Sequence, residues 1–163
     1  MDRFFKLLVD FFFRTNAKRK KFETLENEKV LAADGSKGIM TKENKEITRG
    51  ADWIISQRAV IFLTNKRIVC GKWNIPIEKI SRATLVKIKS IFGGGQVLKI
   101  DTIDNESYQF GMQKNNEWIN QNVLNITVED GNVKTSLFSW LLRIIVFGYL
   151  IYWLLQEFGV IVN

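Results

Sequence analysis

Hydrophobic and polar positions along the chain divide it into three stretches with three different periods. In the first, "MDRFFKLLVDFFFRTNAKRKKF", residues fall 100° apart on a helix, so Asp2, Arg3, Lys6, Asp10 and Arg14 share one side and Phe4, Phe5, Leu8, Phe11 and Phe12 the other. The pattern predicts an amphipathic helix over 1–23. In the last, from Leu137 to Leu155, apolar residues occupy every side of a helical wheel, interrupted only by Ser139, Arg143 and Gly148. That run approaches the roughly 20 residues needed to cross a bilayer, and it predicts a transmembrane helix over 136–156. A buried or oligomerising helix in a soluble assembly is the competing expectation.

The middle stretch, 24–128, has mostly period two. "RAVIFLT" and "RIVCGKW" are apolar runs of strand length, separated by the polar corner Thr64-Asn65-Lys66-Arg67. Val86 and Ile88 alternate with Lys87 and Lys89; Leu98 and Ile100 alternate with Lys99 and Asp101; Tyr108, Phe110 and Met112 repeat the device. Gly93-Gly94-Gly95 and Asp104-Asn105 supply turn signals. "EKVLAAD" predicts an earlier strand, and the polar, glycine-bearing residues from Asp34 to Arg49 predict a long loop. Trp118, Ile119, Val123 and Ile126 follow helical spacing, so the segment predicts a closing helix with Trp118 as its plug. The expected fold is therefore α+β and mainly β. It is a strongly bent antiparallel sheet of six to seven strands closed by a C-terminal helix, flanked by an N-terminal amphipathic helix and a C-terminal transmembrane helix.

Composition narrows the chemistry. Hydrophobic residues make up 46% and aromatics 12% of 163 residues, which suits a single folded core with appendages. The chain has one cysteine, Cys70, and no histidine. The usual zinc sites and the Ser-His or Cys-His nucleophile pairs cannot be built, and no carboxylate or lysine pair stands out. No catalytic, cofactor-binding or metal-binding residue is expected, and the protein is not expected to be an enzyme. A lone cysteine also suits a reducing compartment.

Of the net charge of +7, residues 1–22 supply +5, seven Lys or Arg against two Asp. An apolar helix face followed by Lys18, Arg19, Lys20 and Lys21 is the composition of a helix lying in a membrane interface, with Phe and Leu in the acyl boundary and cations on anionic headgroups. Packing of this helix on its own domain or on a partner is the alternative. A nucleic-acid partner is not expected, because an apolar face contributes nothing to phosphate binding. In the C-terminal run, Trp140 near one end and Tyr152 and Trp153 near the other suit aromatic anchoring, and Arg143 can snorkel towards the nearer interface. Basic residues precede the run, so the protein is expected to be a single-pass membrane protein with its domain on the cytoplasmic side.

"IFLTNKRIVCGKWNIPIEKISRATLV", followed by "LKIDTIDNESYQFGM" and "NNEWI", resembles the GRAM and bacterial pleckstrin-homology-like families. Leu63, Thr64, Asn65, Arg67, Ile75, Pro76, Ile77, Ile80, Phe110 and Trp118 carry the resemblance, which covers about 100 residues. It implies a PH-like domain over 24–128. Relatives that bind inositol phosphates use basic residues between their first two strands. Here Lys37, Lys42, Lys45 and Arg49 are offset by Asp34, Glu43 and Glu46. Lys66 and Arg67 are candidates for headgroup contact, against a purely structural role in the turn.

The functional expectation is a membrane-anchored binding or scaffold module that presents a cytoplasmic domain to a protein partner or lipid headgroup. A lipid-sensing or lipid-handling protein, holding one lipid in the bent sheet, is the alternative. Expected partners are membrane lipids, a protein, and a second copy through the C-terminal helix.

Overall fold

The structure, a computed structural model, describes residues 2–41, 48–49, 56–88, 94–131, 134–135 and 137–157. Two helices open the chain, α1 (Asp2–Phe13) and α2 (Thr15–Glu26), broken at Arg14, whose backbone is left-handed (φ 52°). The strands are β1 (Val30–Thr41), β2 (Thr48–Arg49), β3 (Gln57–Thr64), β4 (Arg67–Cys70), β5 (Trp73–Pro76), β6 (Ile80–Ile88), β7 (Gly95–Thr102), β8 (Ser107–Gln113), β9 (Ile126–Gly131) and β10 (Lys134–Thr135). The four-residue α3 (Glu117–Asn120) precedes β9, and α4 (Leu137–Glu157) follows β10.

Eight strands form one mixed sheet in the order β5-β4-β3-β1-β8-β7-β6-β9, and β2 pairs with β10 separately. The sheet is not closed. Its edges are β5 and β9. β1 joins two antiparallel meanders: Val30 to Gly38 pair with β3, and Ser36 to Thr41 pair with β8. Seven of the eight strands pair antiparallel with one another, within the six to seven expected, and β9 adds an eighth that lies parallel to β6 and makes the sheet mixed.

β3 explains why its sequence is apolar without alternation. Ile61 and Leu63 enter the main core with Ile68, Leu85, Leu98, Ile100, Phe110 and Trp118. Val60 and Phe62 belong instead to a second cluster with Val30 and Ala33, against which Phe13 of α1 and Phe22 of α2 pack. A strand covered on both faces reads as a continuous apolar run. Phe22 stacks on Phe62 with centroids 4.9 Å apart.

Three sequence expectations are corrected. The loop expected from Asp34 is strand up to Thr41, since ladder bonds to two neighbours do not require apolar side chains; residues 42–47 lie outside the described set. The glycines of this strand mark close approaches. A Cβ at Gly35 would meet Phe13 Cδ2 at 2.7 Å and Val9 Cγ1 at 2.9 Å. Next, β6 is buried over residues 83–86 rather than in strict alternation: Ala83 and Leu85 enter the main core, Val86 is buried outside that cluster, and Ile88 is half-buried.

The third correction concerns the closing helix, which is only four residues long. The Gln121 side chain accepts from the backbone N–H groups of Val123 and Leu124 at 2.8 Å each and donates to the carbonyls of Trp118 and Leu124. Side-chain amides that satisfy the backbone in this way compete with the helix ladder. Ile126-Thr127-Val128, three β-branched residues in succession, then run as strand. The sheet therefore runs on to Gly131. Trp118 is the plug the spacing predicted, with no exposed surface.

Candidate functional site

α1 lies on the outer face of the sheet with its polar stripe turned inward. Its inward side carries Lys6, Val9, Asp10 and Phe13, one helical stripe at i, i+3, i+4 and i+7. Its outward side carries Phe4, Leu7, Leu8, Phe11 and Phe12, which are 42% to 79% exposed. The packing of α1 on its own domain, weighed as an alternative to lipid contact, thus accompanies an exposed apolar face rather than replacing it.

What faces inward is a carboxylate cluster. Asp34, in β1 and 1% exposed, accepts from Lys6 Nζ at 2.8 Å, from Asn115 Nδ2 at 2.8 Å and from the Trp118 indole Nε1 at 2.7 Å. Lys6 also donates to Asp10, one turn on, at 2.9 Å. Burial pushes the Asp34 carboxyl above its usual range, opposed by Lys6, Trp118 and Asn115. Burial works to lower the Lys6 ammonium, but its bonds to Asp10 and Asp34 prevail and raise it. Three donors occupy Asp34 and water does not reach it, so it serves as a fixed internal charge.

A second set of contacts holds α2. Arg19 Nη1 donates to Glu117 at 3.1 Å and Nη2 to the Val30 carbonyl at 2.6 Å, while Glu23 accepts from the Val30 N–H at 3.0 Å. Glu117 also accepts from the Ala33 N–H at 3.3 Å. The basic run therefore divides: Lys18, Lys20 and Lys21 are exposed, whereas Arg19 turns towards its own sheet.

The corner between β3 and β4 is built by Thr64. Its Oγ1 accepts from the backbone N–H groups of Lys66 (3.1 Å) and Arg67 (3.0 Å) and donates to the Arg67 carbonyl. Asn65 is not left-handed, as its type allowed; Gly71 (φ 59°) and Asn105 (φ 60°) take that conformation in the next turns. Arg67 bonds Glu26 at 2.7 Å and Glu28 at 3.2 Å and lies over Phe22, so its guanidinium braces the end of α2. Lys66 is exposed. Burial acts to raise the Glu28 carboxyl, but hydrogen bonds from Thr64 and Arg67 bring it below its ordinary value. Arg67→Ala is expected to lower stability by about 2 kcal/mol, the scale of bonds to charged groups. Lys66→Ala should stay within about 0.5 kcal/mol. Urea unfolding in non-ionic detergent compares the two. Because the Glu28 carboxyl is lowered, the Arg67 contribution is full above its ordinary 4.5 and fades as pH falls through the lower folded value.

α4 spans 21 residues. Leu141 and every large apolar side chain from Ile144 to Trp153 are exposed. Among the described residues no helix is long and apolar enough to cross a membrane. The apolar run from Leu137 to Leu155 is only partly inside the described side chains, which comprise Leu141, residues 144–153 and residues 155–157. The side chains of Phe5, Trp140 and Arg143 lie outside them.

Sequence reasoning did not single out Asp34, Asn115 or Glu117. The available signal was Asp34 itself, a carboxylate closing the apolar run Val30-Leu31-Ala32-Ala33, with Lys6 and Asp10 spaced to reach it from one side of a helix. Among the described residues no group of three or more metal-ligating side chains converges. No family model matches the chain, and no curated protein matches it.

Proposed function

We propose that the chain is a membrane-anchored PH-like module, held at the bilayer by α4 as a single span and by the outward face of α1 as an interfacial contact. The observation that carries this is the rotation of α1: Lys6 and Asp10 face the sheet, and Phe4, Phe11 and Phe12 face away. In water each large exposed apolar side chain forgoes roughly 1.5 to 3 kcal/mol relative to full burial. In the acyl boundary of a bilayer it does not. Lys18, Lys20 and Lys21, exposed on the following helix, suit anionic headgroups at about 1 kcal/mol each.

α4 adds permanence. Twenty-one helical residues extend about 31 Å, the thickness of the hydrocarbon layer. The basic residues that precede it favour a cytoplasmic domain. With membrane residence supplied by the two helices, the sheet is free to bind a protein partner or a headgroup concentrated beside it. PH-like architecture is supported by the two meanders joined through β1 and by the buried Trp118 after the last meander strand. The interior of the sheet is occupied by Trp118, Phe110, Leu98 and Ile100, all fully buried, which favours surface binding over uptake of a lipid.

Carbonate extraction of membranes tests the anchor. The full chain should stay in the pellet, and a chain ending at Thr135 should be released by carbonate yet still float with anionic vesicles through α1. Release of the full chain would remove the spanning assignment.

A further inference from the structure

We infer that Asp34 is the positioning residue that turns the apolar face of α1 away from the sheet, so that Lys6, Asp10 and Asp34 together select which side of the helix meets the outside. The outer apolar seat of Val30, Ala33, Val60 and Phe62 is shared, Phe13 of α1 and Phe22 of α2 both packing on it. On burial alone, the side bearing Phe4, Leu7, Leu8, Phe11 and Phe12 would fit this seat better than the side bearing only Val9 and Phe13, because burial scales with apolar area. The observed rotation is the opposite. It is explained by the charge at the rim of the seat.

Asp34 is buried and bonded to Trp118 and Asn115, so its position is set by groups outside α1. A buried carboxylate left without a cation is strongly unfavourable. Among the described residues its bonded cation is Lys6, and bringing Lys6 to 2.8 Å necessarily places Asp10, one turn on, against the same surface. Val9 and Phe13, on the same stripe, then close over Gly35, where a Cβ would collide with both. Rotation by half a turn would carry Lys6 and Asp10 outward and strand Asp34. The glycine and the aspartate are adjacent, so one short piece of β1 both requires this side of the helix and makes room for it. A single buried polar group that fixes register at some expense of stability is the best-attested use of such groups.

The identity of the medium facing α1 rests on the membrane reading above; the choice of face does not. The test uses the full chain with Cys70→Ser and one new cysteine, Phe11→Cys on the outward side or Phe13→Cys on the inward side, each carrying a fluorescent label. Vesicles of phosphatidylcholine and phosphatidylglycerol contain nitroxide-labelled phosphatidylcholine as quencher, and iodide serves as the water-borne quencher. With Asp34 present, quenching is expected at position 11 and not at 13. Asp34→Asn keeps the volume and the acceptor for Trp118 but removes the charge; it should abolish quenching at 11 and create it at 13.

Lys6→Ala, on the helix surface, should act in the same direction and replaces Asp34→Asn if that variant fails to fold by thermal unfolding. Unchanged quenching at 11 in the folded variants overturns the inference. So does quenching at both positions, since the cluster would then hold the helix without choosing its side. If iodide rather than the nitroxide lipid quenches position 11 in the parent chain, the membrane reading fails. The exchange between positions 11 and 13, followed with iodide, still decides the role of Asp34.

Discussion

Trp118→Ala is expected to lower the stability of the folded chain by about 3–5 kcal/mol, the range for deleting a large aromatic from a packed core. Trp118 has no exposed surface and sits in the main cluster with Phe110, Leu98 and Ile61, from both meanders. Its removal leaves a cavity at the end of the sheet, where α3 and the Gln121 turn offer little that could collapse into it. It also removes the donor to Asp34. For a domain of this size 1 kcal/mol corresponds to roughly 4–8 °C, so the thermal midpoint in non-ionic detergent should fall by roughly 12 °C or more. Trp118→Phe helps to separate the two components, because it keeps an aromatic ring in the core while losing the N–H. A drop of a few degrees for Trp118→Ala would mean that the tryptophan does not fill the core.

The second large effect is Asp34→Ala, also about 3–5 kcal/mol, because one member of a buried charge pair is lost and the other stays behind. The Trp118 indole and the Asn115 amide lose their acceptor at the same time. Lys6 keeps Asp10 and is a quarter exposed, which limits its share of the loss. A double-mutant cycle with Lys6→Met isolates the pair. A coupling of about 1–3 kcal/mol is expected for residues in one network. Zero coupling, read from thermal midpoints of the four chains, would show that Lys6 and Asp34 do not meet.

Much of the sheet was legible from period two alone. Leu98 and Ile100, then Tyr108, Phe110 and Met112, are buried as their spacing predicted, because a strand with one core-facing side writes that side into every second position. β1 was half legible. Its polar second half is held by ladder bonds on both sides and by glycines that admit Phe13 and Trp73, neither of which leaves an apolar signal.

The amphipathic period of α1 identified which residues share a side, but amphipathicity does not say which side is inside. That was decided by Asp34, twenty-eight positions along the chain from Lys6. The short α3 was hidden by a coincidence of spacing. Trp118 and Ile119 fit a helix that the Gln121 amide ends, and Leu124 rather than Val123 is the next buried residue.

The order of the last elements determines how mechanical load enters the sheet. Tension on α4 reaches the domain first through the two-residue pairing of β10 with β2, then through β9, an edge strand held to β6 by six residue pairs. Under the proposed anchoring, a pull on α4 would therefore peel the C-terminal edge, uncovering Val86 where it lies against Gly131. Trp118 and the two meanders would stay seated. The outermost ladder would then act as a mechanical fuse between the proposed anchor and the core.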